Sequence, residues 1–207
     1  MPALETTAIP RKTVYRLSIY QRCLQRLIDN KVETVSSQAL AKAAGVKPTQ
    51  LRKDLTYFGQ FGTRGLGYDV PGLLGSIREV LGRTRLQPVV LVGVGNLGAA
   101  LLRYPGFNKE GFEIVAAFDI DPEKSAPPGI PVLPRQELSA FLKSNNVKMA
   151  ILAVPALVAQ EVVNQMIGAG IQAILNFSPL ILEVPDDVMV NNVDLAVELE
   201  NLSYFVR

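Results

Sequence analysis

The sequence predicts an α/β chain in two unlike parts. A small basic domain of short helices with a glycine-rich ribbon comes first, then a doubly wound parallel sheet with helices on both faces. Three observations carry this expectation. Residues 1–85 hold 14 Lys and Arg against 6 Asp and Glu, a net of +8, whereas residues 86–207 hold 7 against 13, a net of −6. Residues 35–58 have the spacing of two short helices joined at a tight turn. From Pro88 onward, apolar runs alternate with helical stretches. Opposite charge on two halves suggests two domains with different partners, the basic one suited to a polyanion.

Residues 13–30 read as an amphipathic helix, with Val14, Leu17, Leu24, Leu27 and Ile28 near one face. Ser36 or Ser37 caps a short helix through Ala44, which Gly45 ends. Pro48 suits the first turn of the next helix, to about Phe58, with Leu51 and Leu55 inward. Two short helices joined at 44–46 form a helix-turn-helix. Residues 58–70, FGQFGTRGLGYDV, alternate glycines with aromatics and fit a tight two-stranded ribbon. A ribbon after the second helix makes the module a winged helix. Pro71 opens a helix carrying Leu73, Leu74, Ile77, Val80 and Leu81, and Gly82 ends it. The expected domain is 1–82, followed by a linker over 83–88.

PVVLVGVGNLGAALL is then a strand, a glycine turn and a helix. Residues 113–121 form a second strand ending in acids. The runs 147–155 and 171–177 are too continuously apolar for half-exposed strands and fit a sheet buried on both faces. Helices near 135–144 and 156–169 alternate with them, the βαβ order of a mostly parallel sheet. This second domain spans 89–192. A last helix, 193–207, places Leu195, Leu199, Leu202 and Val206 on one stripe.

The composition removes several functions. There is no histidine and a single cysteine among 207 residues. Without His there is no Ser-His-Asp triad, Cys-His dyad or phosphohistidine. With one Cys there is no intrachain disulfide and no cysteine-built zinc site, and no metal is expected. No run approaches the ~20 apolar residues of a membrane span. Met1 to Pro10 lacks the profile of a secretory signal, so a cytoplasmic location is expected. Cys23 reads as a small core side chain, Asp186-Asp187 as a turn, and Tyr104 to Phe107 as a helix end and turn.

Gly93-Val94-Gly95-Asn96-Leu97-Gly98 follows a strand and opens a helix, the context that makes G-x-G-x-x-G a dinucleotide signature. Gly93 permits the turn, Gly95 lets backbone approach a pyrophosphate, and Gly98 lets helix pack on strand. The helix N-terminus offers N–H groups to the phosphates. Asp119, at the end of the second strand, suits ribose hydroxyls and repels a 2′-phosphate, favouring NAD over NADP. Asp121 competes for that role, and Lys124 softens the discrimination. Val154 and Pro155, closing the third run, and Asn176 and Phe177, closing the fourth, are further cofactor candidates. Phe177 suits an apolar wall for a nicotinamide. In the basic domain, Lys47, Gln50, Arg52 and Lys53 sit at or within the second short helix and suit phosphates or base edges. Arg64, between glycines at the ribbon tip, suits a narrow minor groove. Arg11 begins a phosphate-binding arm.

Residues 35–70, 92–107, 118–124, 174–179 and 192–207 together resemble the Rex family of redox-sensing transcriptional repressors, and the resemblance covers nearly the whole chain. It implies a homodimer with an N-terminal winged helix-turn-helix domain, a C-terminal Rossmann domain and a domain-swapped C-terminal helix. It implies that Gly93 to Gly98 hold the NADH or NAD⁺ pyrophosphate and Asp119 the adenosine ribose. Lys47, Arg52 and Lys53 then meet a double-stranded DNA operator and Arg64 its minor groove. It also implies a state-dependent contact among Arg16, Tyr104 and Asp194 linking the domains. The expected function is a repressor bound to a palindromic operator and released when NADH rises relative to NAD⁺, without catalysis. An NAD-dependent oxidoreductase with a helical appendage is the alternative. It is disfavoured by the ~120 residues left for cofactor and substrate together. A CoA-binding module of a ligase lacks the histidine its chemistry needs.

Overall fold

The structure, a computed structural model, describes residues 9–57, 59, 61–62, 66–82 and 86–206. The chain divides into two compact units, Met1–Arg85 and Leu86–Arg207. No helix among the described residues is long and apolar enough to cross a membrane.

In the first unit, α1 (Arg11–Asp29) begins after Pro10 and ends where Lys31 turns left-handed at φ +59°. The Val32 N–H then donates to the Leu27 carbonyl at 2.9 Å, satisfying an end-of-helix acceptor. The buried face is Thr13, Leu17, Tyr20 and Leu24, one step round from the expected stripe, and Val14 is exposed. The face turns because Thr13 and Tyr20 reach a buried carboxylate, described below. β1 (Thr34–Val35) leads to α2 (Ser37–Ala43). Ser36 is the cap, accepting from the Ala39 N–H at 3.1 Å. Gly45 at φ +67° makes the turn, and α3 (Pro48–Thr56) starts on Pro48 and buries Leu51 and Leu55.

Part of the expected ribbon, residues 58, 60 and 63–65, lies outside the described residues. Residues 58–70 contribute, among the described residues, the strand β2 (Tyr68–Asp69), and its antiparallel partner is β1, thirty-odd residues earlier. The chain does fold back on itself: a Cβ on Gly62 would lie 2.6 Å from the Gly67 carbonyl. Asp69 caps α4 (Val70–Val80) through the Gly72 N–H at 2.7 Å, so helix and strand share a junction. Leu73, Leu74 and Ile77 close the core against α1, while Val80 points outward. Cys23 belongs to this core, and burial pushes its thiol pKa up, keeping it protonated.

The second unit is a six-stranded, all-parallel sheet ordered β5-β4-β3-β6-β7-β8. Its strands are β3 (Gln87–Val92), β4 (Phe112–Asp119), β5 (Val132–Pro134), β6 (Met149–Leu152), β7 (Ala173–Asn176) and β8 (Met189–Asn192). Counted within the unit, this is the order 3-2-1-4-5-6 of a dinucleotide-binding sheet. The strand β3 takes in Gln87 and Pro88, which the sequence assigns to a linker, because Gln87 pairs beside Phe112. The strands β5 and β8 were not expected, being three and four residues long. Successive residues face opposite layers. Val90, Val92, Phe118 and Leu152 pack with α7 (Leu138–Asn145) and α8 (Ala156–Gly168). Val89, Leu91, Ala117 and Ile151 pack under α5 (Asn96–Leu102) and α6 (Gly106–Lys109). The last helix, α9 (Leu195–Ser203), buries no residue within the single chain, and Leu195, Leu199 and Leu202 are all more than half exposed.

Candidate functional site

The strand order reverses between β3 and β6, and open α/β sheets bind ligands beyond the carboxyl ends of the strands at such a point. The chain leaves β3 at Gly93, whose φ of +100° suits glycine alone. Its N–H donates to the Phe118 carbonyl at 2.8 Å, and a Cβ there would collide with the Ala153 carbonyl. At Gly98 a Cβ would overlap the Gly93 carbonyl, so α5 packs on its own strand through a missing side chain. At Gly95 a Cβ would meet no atom within 4 Å. Gly93 and Gly98 are therefore required by the protein, whereas Gly95 faces open space at the start of α5. Gly95, Asn96 and Leu97 are exposed, and Val94 is buried.

Asp119 ends β4 beside this turn, 7% exposed. Its Oδ2 accepts from the Val94 N–H at 2.6 Å, and its Oδ1 from the Asp121 N–H at 3.0 Å and Lys124 Nζ at 2.9 Å. Burial alone would raise its pKa. The Asp121 N–H, Lys124 and the Val94 N–H outweigh burial and hold the carboxyl below the usual carboxylate range. An ionised carboxylate only accepts, and these three donors leave it capacity for a further hydroxyl. The Asp121 side chain, exposed, accepts from the Glu123 N–H at 3.1 Å.

Val154 borders Gly93, and Pro155 is the exposed cap of α8. The Phe177 N–H donates to the Leu152 carbonyl at 2.8 Å, and the half-buried ring joins the cluster that holds Val94, Leu91 and Ile151. The glycine turn, residues 154–155 and Phe177 thus share the ends of neighbouring strands. Asn176 braces the turn that follows β7. Its amide donates to the Leu180 carbonyl at 3.0 Å and to Asn192 at 2.9 Å, and its oxygen accepts from the Ser178 N–H at 2.9 Å. That side chain shapes the 176–180 turn and ties β7 to β8.

In the first unit, Lys47, Arg52 and Lys53 are exposed on or beside α3, and Arg52 donates to Ser37 Oγ at 3.2 Å. Arg11 is exposed at the start of α1. Arg64 lies outside the described residues. Gln50 is half-buried, its Nε2 donating to Asp54 Oδ1 at 2.8 Å. Asp54 is the residue the sequence reading missed. It is fully buried, and Arg16 grips it with Nε and Nη2, each at 2.6 Å. Tyr20 Oη donates at 2.7 Å and Thr13 Oγ1 at 3.3 Å. Burial pushes this carboxyl up, but the bonds from Arg16, Tyr20 and Gln50 prevail and lower its pKa. A signal did exist: an acid three residues after Leu51 and next to Leu55 falls on the inward face and demands a cation.

Arg16, Tyr104 and Asp194 each have a partner within their own unit. Arg16 pairs with Asp54. The Tyr104 ring stands edge-on to Phe107 at 5.1 Å and covers Gly106. Asp194 caps α9, accepting from the Ala196 and Val197 N–H groups at 2.9 and 3.2 Å.

Comparison with known proteins agrees with this division. Residues 8–56 match the family model described as "Putative DNA-binding protein N-terminus", and residues 84–180 match the one described as "CoA binding domain". A protein of Streptomyces avermitilis named redox-sensing transcriptional repressor Rex is 47% identical over 205 residues, covering 98% of this chain and 81% of that one. One of the same name from Syntrophobacter fumaroxidans is 46% identical over 199 residues, covering 95% of each. Among solved structures, RSP in complex with beta-NAD⁺ and operator DNA superimposes with a TM-score of 0.89 at 36% identity, covering 97% of this chain and 93% of that one. RSP in complex with beta-NADH gives 0.86 at 34%, covering 97% and 95%. With a nucleotide crevice and a helix-turn-helix in one chain, and such identity over nearly its full length, the chain belongs to the Rex family of redox-sensing transcriptional repressors.

Proposed function

We propose that a homodimer of this chain represses transcription by binding a palindromic operator and leaves it when NADH rises relative to NAD⁺. The observation that carries this reading is the glycine turn joined to Asp119 in one unit, with a basic helix-turn-helix in the other. In the proposal α3 enters the major groove, with Lys47, Arg52 and Lys53 on phosphates or base edges and Arg11 on the backbone. Arg64 reaches the minor groove. The dinucleotide pyrophosphate lies on the backbone at Gly95 to Gly98, a ribose hydroxyl donates to Asp119, and the nicotinamide lies near Val154, Pro155 and Phe177. The exposed stripe of α9 is buried against a second copy, as a swapped helix. Arg16, Tyr104 and Asp194 take part in the contact between domains.

No hydride transfer is part of this function. NADH differs from NAD⁺ in having an uncharged ring, and an apolar wall such as Phe177 penalises the cation. The cofactor moves the DNA-binding equilibrium by its differential affinity for the two states. Operator DNA must then weaken NADH binding by the same factor. Fluorescence anisotropy tests this, with an operator duplex selected from random sequence at one fixed salt concentration. Release by NADH, and not by NAD⁺ or NADPH, is expected. Equal effects of all three dinucleotides would defeat the redox reading.

Asp119→Ala should weaken NADH binding by roughly 10- to 100-fold, since hydrogen bonds to charged groups contribute about 1.5–3 kcal/mol. Operator binding should persist and become insensitive to NADH. Calorimetric titration with NADH and the same anisotropy assay measure both, and normal release by NADH would remove Asp119 from the ribose.

A further inference from the structure

The Asp54 carboxylate accepts five hydrogen bonds, more than docking one helix on another requires. Four of them, from Thr13, Arg16 and Tyr20, come from α1 and hold it against α3. The fifth comes from Gln50, one turn earlier on α3 itself, and adds nothing to that docking. What it does is orient an amide. The terminal torsion of a glutamine is broad and roughly two-fold, so its N and O exchange places readily. An ionised carboxylate only accepts, so it distinguishes the two ends of the amide. Ion-paired to Arg16 and held below the ordinary carboxylate range, Asp54 remains an acceptor at neutral pH. Nε2 of the half-buried Gln50 therefore faces inward and Oε1 faces away from Asp54.

We propose that Asp54 is a positioning residue for sequence readout: by holding Gln50 Nε2 inward, it presents Oε1 to an exocyclic base amine, adenine N6 or cytosine N4, in the major groove. This rests on the DNA-binding reading given above. In that groove, guanine and thymine offer acceptors where adenine and cytosine offer these amines. A free amide would turn its nitrogen to them and discriminate little. A fixed one does not.

The test uses the full-length chain and duplexes with a randomised core, selected, sequenced and then measured as single-base variants. The wild type should favour adenine or cytosine by about 10-fold at one position in each half-site, the size of a good base contact. Gln50→Ala should lose that preference and no other. Asp54→Asn, which can offer Gln50 a donor and so allow the amide to flip, should lose it at the same position, down to about 2-fold. Adding Gln50→Ala to Asp54→Asn should change that position no further. Tyr20→Phe removes a donor on the α1 side and should lower stability while leaving the base profile intact. A merely structural Asp54 would instead weaken all duplexes by one factor with the profile unchanged, and that result overturns the proposal. So does a Gln50→Ala profile identical to the wild type. If Asp54→Asn fails to fold, NMR on the wild type decides: one Gln50 side-chain amide proton should be protected from exchange, and two that exchange alike overturn the assignment. A wild type that selects no sequence overturns the DNA-binding reading and this proposal with it.

Discussion

Asp54→Ala is expected to destabilise the N-terminal unit by about 3–5 kcal/mol, because it removes one partner of a buried ion pair and strands the other. Arg16 is the group left behind, with its side chain 20% exposed. Part of its charge can be solvated, so the loss should fall near 3 kcal/mol. Tyr20 and Thr13 lose their acceptor at the same time, in a core where water does not reach them. Small domains hold only about 5–15 kcal/mol in all, so much of the unit's stability goes. Urea denaturation followed by tyrosine fluorescence reports it, since Tyr15, Tyr20, Tyr57 and Tyr68 lie in this unit and the chain has no tryptophan. A midpoint equivalent to less than 1 kcal/mol of loss would mean that the network is not what joins α1 to α3.

The same network sets a pH window for the unit. The folded pKa of Asp54 lies below its unfolded value, so its contribution is complete above about pH 4 and lost as pH falls through the folded pKa. Tyr20 works in the opposite direction. Burial and its bond to Asp54 raise its pKa, so its contribution is complete below about pH 10 and lost as pH rises through the folded value. Stability of the unit should therefore hold level across neutral pH and fall at both ends. Tyr20→Phe should remove the alkaline fall due to this group and leave the acid one.

Gly98→Ala is expected to abolish the response to NADH while sparing the operator interaction. The new Cβ overlaps the Gly93 carbonyl, so α5 must lift away from β3 and carry the turn with it. Overpacking of this kind costs about 1–3 kcal/mol, which the six-stranded sheet can absorb without unfolding. The geometry of the turn cannot absorb it, and NADH affinity should drop at least about 100-fold, corresponding to about 2.7 kcal/mol. Gly95→Ala provides the contrast. Its Cβ meets no protein atom within 4 Å, so the fold should keep its melting temperature, and any loss of NADH binding comes from the ligand side. Calorimetric titration and thermal melts of both variants separate the two causes. Wild-type NADH affinity and melting temperature in Gly98→Ala would contradict the close packing.

The residues that proved legible in the sequence share a property. Ser36, Gly45 and Pro48 act within four residues of themselves, and the structure uses each where local chemistry places it. Gly93 to Gly98 are likewise read from a strand, a turn and a helix contiguous in the chain. The strands β5 and β8 escaped because each is short and unremarkable alone; Pro134 and the Asn191-Asn192 pair even argue against strand. What makes them strands is a neighbour, β4 for one and β7 for the other. The strand β2 falls inside the stretch read as ribbon, but its pairing with β1 escaped for the same reason, since that partner lies on the far side of α2 and α3.

Local periodicity, capping and turn chemistry were thus enough to place most helices, the buried strands and the two chemically distinct halves, because each depends on residues close in the chain. Which side chains meet was decided by packing alone. Asp54 became an ionised hub because α1 brings Arg16 and Tyr20 onto it, 38 and 34 residues away. Asn176 became a brace because β8 brings Asn192 beside it. Asp119 shows both contributions: its position at a strand end is written in the chain, but its ionisation follows from Val94, Asp121 and Lys124 converging on it. A charge inside a protein is tolerated or expelled according to the donors around it, and those donors are assembled only when the chain folds.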